Sequence, residues 1–84
     1  MAMTTDTTRE IAREHMRLQQ AIEKYGEGAF DADELAAYRR AFEQWGELHN
    51  RTLRDMDADE ELALRALATD AARRARALRE RLTP

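Results

Sequence analysis

The sequence predicts an all-α fold, a small three-helix antiparallel bundle made of a helical hairpin and a third helix. The 84 residues include only three Gly and one Pro, while 37% are charged, which is typical of long solvated helices. No run of residues has the β-branched, alternating pattern of a strand. Three helix-start signals are each followed by apolar residues at steps of three and four. We therefore expect more than about 70% helix, with no strand.

The first helix is predicted near residues 7–25, after a flexible N-terminus at 1–6. Thr7 and Glu10 have the spacing of a capping box, in which the N-cap hydroxyl and the third helical residue satisfy each other's backbone N–H groups. Gly26 and Gly28 then end the helix, since Gly takes the left-handed conformation at little cost. Its predicted inward-facing residues are Ile11, His15, Leu18, Ile22 and Tyr25.

The second helix is predicted near residues 32–55. Asp31 precedes Glu34 by three residues and is the expected N-cap. Phe30 and Leu35 flank this cap in the arrangement of a hydrophobic staple. Its predicted inward-facing residues are Leu35, Tyr38, Phe42, Trp45, His49, Thr52 and Met56.

The third helix is predicted near residues 58–82, so that residues 7–82 form a single helical domain. Asp57 and Glu60 repeat the capping pattern of Asp31 and Glu34. No Gly or Pro separates the second and third helices, which predicts either a tight corner or one continuous helix. Its predicted inward-facing residues are Leu64, Ala68, Ala71, Ala75, Leu78 and Leu82.

Small side chains dominate the inner face of the third helix. Ala68, Ala71, Ala72 and Ala75 form a smooth stripe along which another helix can approach closely. The bulky Phe42 and Trp45 of the second helix would fill the groove beside it. The alternative is that this alanine stripe meets its own copy across a two-fold axis.

A homodimer is predicted from helix lengths. The first helix has about 19 predicted residues and the others about 24 and 25, so the first leaves part of their apolar surface uncovered. Trp45 is expected to be a core or interface anchor, because large aromatic side chains dominate burial in a small core. The interface candidates are Trp45, Leu48, Leu53, Met56, Leu62, Leu64 and Leu67. The alternative is that residues 1–6 extend the first helix and cover the gap, with Met3 as a lid.

The two histidines are interpreted as half-buried structural residues hydrogen-bonded to a neighbour. His15 and His49 are displaced by roughly 12 Å along the predicted bundle, too far apart for a joint metal site. The chain has no Cys and no Ser, and it has no Gly-rich phosphate loop. We therefore expect no metal, no cofactor and no catalytic residue.

This shape predicts only the general class of function. The expected activity is that of a small protein–protein interaction module, a regulator, adaptor or inhibitor that binds a protein partner and also itself. The alternative is a nucleic-acid-associated protein that uses Arg73, Arg74 and Arg76 of the third helix, although a net charge of −3 disfavours nucleic acid. A third interpretation is a small helical enzyme with a site in a dimer cleft.

The location expected from the sequence is the cytoplasm. The first nine residues lack the basic and apolar regions of a secretion signal. No apolar stretch approaches the roughly 20 residues that a membrane-spanning helix needs, so no membrane association is expected.

Overall fold

A computed structural model describes residues 2–52 and 56–82, with side chains from residue 6 onward. It contains three α-helices, α1 (Ala2–Tyr25), α2 (Ala32–Arg51) and α3 (Ala58–Glu80), with a short 3-10 turn at Glu27–Ala29. Within these two ranges there is no strand. The all-α prediction is confirmed.

The first helix begins earlier than predicted. It already includes Ala2, so residues 2–6 form its first turns rather than an irregular segment, and Thr7 and Thr8 lie in its interior. The capping-box interpretation of Thr7 and Glu10 is therefore wrong. Neither Gly nor Pro interrupts residues 2–6, and Thr costs only a few tenths of a kcal/mol relative to Ala in a helix. The same residues that can start a helix are thus tolerated inside one.

Glycine ends α1 as predicted. Gly26 has φ 84°, the left-handed conformation, and its N–H donates to the carbonyl oxygen of Ile22 at 2.7 Å. The 3-10 turn follows at once, closed by the bond from the N–H of Phe30 to the carbonyl of Glu27 at 3.1 Å. The chain thereby reverses direction within a few residues and enters α2.

The predicted cap of α2 is confirmed, but its predicted end at residue 55 is wrong. The Asp31 carboxylate accepts the N–H of Glu34 at 3.0 Å. The helix ends at Arg51, where the Thr52 hydroxyl donates to the carbonyl of Leu48 at 2.9 Å. The backbone N–H of Thr52 donates to the same carbonyl at 3.0 Å, and its hydroxyl also lies 3.3 Å from the carbonyl of His49, one of the last-turn carbonyls that a helix end leaves without a helical N–H partner.

A full capping box starts α3. The Asp57 carboxylate accepts the N–H of Glu60 at 2.8 Å, and the Glu60 carboxylate accepts the N–H of Asp57 at 3.3 Å. The backbone of Asp57 is extended, with φ −86° and ψ 176°. The alternative of one continuous helix is therefore wrong. The helix ends at Glu80, two residues before the predicted position.

The bundle is organised around α3, which packs along both α1 and α2. Its alanine stripe (Ala68, Ala71, Ala72 and Ala75) is buried inside the single chain, with Ala71 fully inaccessible to solvent. The small side chains allow close approach, as predicted, and the stripe is not left for a second copy. The core around it consists of Ile11, Leu18, Phe30, Leu35, Tyr38, Ala41 and Leu78.

Helix lengths do not support the argument made for a homodimer. α1 has 24 residues, α2 has 20 and α3 has 23, so α1 is not the short helix of the bundle. Extension of α1 through residues 2–6 is the alternative that the sequence left open. The lid assigned to Met3 depends on a side chain outside the described part of the structure.

Candidate functional site

Aromatic and imidazole rings form a continuous stack, here called the aromatic ladder (His15, Tyr38, Phe42, Trp45 and His49), in which His15 of α1 joins four rings of α2. The ring of His15 lies 4.0 Å from that of Phe42, nearly parallel to it. Phe42 lies 5.7 Å from Trp45, which lies 4.9 Å from His49. Phe42 and Trp45 are half-buried and pack against the core cluster that includes Ala68, Ala71 and Ala75.

His15 is tied to the core through Tyr38. Its Nδ1 and the Tyr38 hydroxyl are 2.5 Å apart and share a hydrogen bond. Burial raises the pKa of Tyr38, and the negative charge of Glu14 raises it further, so the phenol keeps its proton. Burial also lowers the pKa of His15, which favours the neutral imidazole. The pair is a neutral, satisfied core contact.

The described residues contain no cluster of side chains that could hold a metal ion. Residues 2–52 and 56–82 contain no group of three or more His, Asp or Glu side chains arranged to hold an ion. Nδ1 of His15 is engaged by Tyr38, and His49 lies at the far end of the ladder. The structure does not bring the two histidines together.

Stability should fall as pH drops from 7.5 to 5, because the pKa of His15 is lower in the folded chain than its ordinary value of 6.5. The stabilisation from the neutral imidazole is fully present above pH 6.5 and is lost as pH falls toward the folded-state pKa. His15→Gln should therefore flatten the pH dependence of the urea midpoint across this interval.

His49→Gln is the matched control, since it removes an imidazole from the other end of the ladder. Equal flattening by both variants would contradict the assignment to His15. Asp70 does not interfere, because its hydrogen bond to Arg74 lowers its pKa below 3.8 and its contribution is lost only at more acidic pH.

A buried carboxylate joins α1 to α3. Glu14 is only 3% exposed, and its carboxylate accepts a short hydrogen bond from the Arg79 guanidinium. Arg76 lies 3.6 Å from Glu14 and 3.6 Å from Glu10. Glu14 was not predicted to face inward, since it lies one residue before the predicted inward-facing His15. Two arginines at positions 76 and 79, one helical turn apart, are the only signal that a carboxylate could be buried opposite them.

The arginines proposed for nucleic acid are engaged within the chain. Arg73 and Arg74 contact the Asp70 carboxylate at 2.6 and 2.9 Å. Arg76 contacts two carboxylates of α1, and Arg81 contacts Glu34 of α2 at 2.6 Å. These arginines therefore link α3 to its neighbours and to its own preceding turn. The structure does not arrange Arg73, Arg74 and Arg76 as one open basic patch.

The predicted interface residues do not form one surface. Leu64 is 2% exposed, so it is part of the core and cannot contact a partner without opening the bundle. Trp45 is half-buried and packs against the core. Leu62 is exposed, and Leu53 lies outside the described residues. The other candidates are half-buried, namely Leu48, Met56 and Leu67.

The outer face of α3 carries the exposed leucine. Leu62 is 59% exposed and lies in a shallow groove of about 450 Å³ with the small side chains of Ala66 and Thr69. Charged side chains complete the lining of this groove, Arg65, Asp70 and Arg73. The α3 groove, as these six residues are called below, lies opposite the buried alanine stripe. It contains Leu62, one of the predicted interface residues.

In the described ranges, no helix combines the length and apolarity needed to cross a membrane. Comparison with known protein families, with curated proteins and with solved structures gives no match. A function is therefore inferred from the geometry of the chain itself.

Proposed function

We propose that the chain is a protein–protein interaction module that binds a helix of its partner in the α3 groove. The observation that carries this proposal is Leu62, a large apolar side chain 59% exposed beside the small residues Ala66 and Thr69. An apolar side chain in a groove with a charged rim is a common arrangement at protein interfaces.

The spacing of the groove residues suits a helical partner. Leu62, Ala66, Thr69 and Arg73 follow one another at steps of four, three and four, so they form one row along α3. Ala66 and Thr69 let a second helix approach closely, while Leu62 supplies apolar area. Because α3 packs on both other helices, this row is held in place before any partner binds.

Binding to a second copy is part of this proposal, although the length argument for it has failed. The groove is independent of that argument, since Leu62 is exposed in the single chain. Sedimentation equilibrium over a dilution series separates self-association from binding of another protein. For nucleic acid and for catalysis, no specific feature of the described residues gives comparable support.

Leu62→Gln should weaken partner binding at least tenfold, because the large apolar side chain of the groove is lost. Met16→Gln is the matched control, since Met16 is a similar apolar side chain, 62% exposed, on α1 rather than α3. Binding is measured by affinity capture from the source cell with quantitative mass spectrometry, and by sedimentation for self-association.

The expected result is that the same bound protein, or the same dimer, is retained by wild type and Met16→Gln and is lost from Leu62→Gln. Equal retention by both variants would contradict the α3 groove as the contact surface. A monomer at micromolar concentration that captures no protein would contradict the interaction module itself.

A further inference from the structure

A second surface, on α1, carries cations that no carboxylate of the described chain neutralises. Arg9, Arg13, Arg17 and Lys24 are all exposed, and at 3.6 residues per turn they fall within an arc of about 80° on the outer face of α1. They extend over about 22 Å of helix. We call this row the α1 basic stripe. It is independent of the α3 groove of the proposed function.

The α1 basic stripe differs from the other arginines in its partners. The arginines of α3 after residue 70 all contact carboxylates, whereas no member of the stripe has a carboxylate oxygen within 4.0 Å among the described residues. Asp6 lies on the same arc one turn before Arg9, and no acidic residue falls on it from Arg9 to Lys24. The positive charge of this face is therefore uncompensated, in a chain whose net charge is −3.

Helix stability does not explain this arrangement. Arg9, Arg13 and Arg17 follow one another at i,i+4, where like charges repel and destabilise a helix by a few tenths of a kcal/mol per pair. The helix dipole favours cations only near the C-terminus, so it accounts for Lys24 and not for Arg9. Charge repulsion within the stripe therefore destabilises the isolated chain. An anionic partner bound along the stripe would offset this repulsion.

The C-terminal end of the stripe is concave. Arg17, Gln20 and Lys24 line a depression of about 380 Å³ between α1 and α3. Ala21 and Leu82 form its apolar part. Its remaining lining residues are Tyr25 and Arg79. The depression therefore offers donors and apolar surface to a side chain of a bound partner.

We propose that the α1 basic stripe binds an acidic helix of a partner protein. Carboxylates at i,i+4 on a helix repeat every ~6 Å, which is the spacing of Arg9, Arg13 and Arg17, so two helices lying side by side can pair along the whole stripe. Guanidinium groups bind carboxylates through two parallel hydrogen bonds, which suits the three arginines.

Two other occupants fit less well. A nucleic-acid strand continues past the stripe onto a surface whose remaining charge is strongly negative, while a short helix does not. A second copy of this chain lacks the matching row. Its exposed acidic residues on α2 are Asp33, Glu43 and Glu47, and the cations Arg40 and Arg51 flank the last two along the helix.

The probe is a helical peptide of about 18 residues with Glu at the stripe's own spacing, and its control has Gln at those positions. Isothermal calorimetry at low and physiological salt measures binding to wild type. The double variant Arg13→Gln/Arg17→Gln should weaken binding of the Glu peptide by roughly fivefold to thirtyfold, because two exposed ion pairs are lost. This variant removes like-charge repulsion, so it is expected to fold.

Arg40→Gln/Arg51→Gln is the matched control, since it makes the same charge change on the exposed face of α2. The proposal expects this control to bind like wild type. It is overturned if both double variants weaken binding equally, if the Glu peptide binds no better than the Gln peptide, or if a single-stranded oligonucleotide of equal charge binds more tightly than the Glu peptide.

Discussion

Ala71→Leu should lower the free energy of unfolding by about 3 kcal/mol, because the added side chain has no space between α3 and its neighbours. Ala71 is fully buried in the alanine stripe, where α3 approaches both other helices. The larger residue can enter only by separating α3 from α1 or α2. Urea denaturation followed by circular dichroism measures the change.

Ala66→Leu is the control for this substitution. Ala66 lies five residues earlier on the same helix but is exposed, so the same chemical change should alter stability by less than about 0.5 kcal/mol. The two variants share helix propensity and differ only in burial. Equal stability of both variants would show that α3 does not pack as closely as described.

Arg79→Met should lower the free energy of unfolding by about 3 kcal/mol, because it removes the main partner of a buried carboxylate. Glu14 is 3% exposed and would keep only Arg76, at 3.6 Å. Arg73→Gln is the control, since the Arg73–Asp70 pair is exposed and such pairs contribute little.

Adding Glu14→Leu to Arg79→Met should restore most of the lost stability. Replacing both members of a buried ion pair with apolar residues is often neutral, since no charge is left without a partner. Arg76 is not left alone in this double variant, because it also contacts Glu10 at 3.6 Å. A double variant less stable than Arg79→Met alone would contradict this prediction, because the Glu14 carboxylate would then be stabilised by groups other than these guanidinium groups. Thermal and urea denaturation of wild type, Arg79→Met, Glu14→Leu and the double variant complete the cycle.

Local signals allowed the sequence to predict much of the fold. The caps at Asp31 and Asp57 and the Gly26 stop each depend on residues within a few positions of one another, so their physics is readable in the chain. The alanine stripe was also predictable, because its residues share one face of α3. Such features need no knowledge of which helix lies opposite.

The errors arose where the same residues are compatible with two local structures. Thr7 has the chemistry of an N-cap but is tolerated inside α1. Thr52 is buried, as its predicted inward-facing position requires, but α2 ends one residue before it, at Arg51. The first error made α1 seem short, and the argument for a dimer depended on that length.

The contacts between helices were the least predictable part. Glu14 was not expected to be buried, because a buried carboxylate is stable only when it is paired with cations. Its partners, Arg76 and Arg79, lie on another helix. A hydrogen bond from His15 to a neighbouring residue was predicted, but Tyr38 was not predicted as its partner. Leu64 was predicted both as an inward-facing residue and as an interface candidate, and its 2% exposure confirms only the first of these.

The central position of α3 has a consequence for how the protein is made. α1 and α2 are synthesised first, yet the surface on which both pack is the last helix in chain order. While the nascent chain lacks Ala68 to Ala75, Ile11 and Leu18 have no alanine stripe to cover them. Folding is therefore expected to wait until α3 has left the ribosome. Before that point, the apolar residues of α1 and α2 are expected to stay exposed rather than to form a partly assembled bundle.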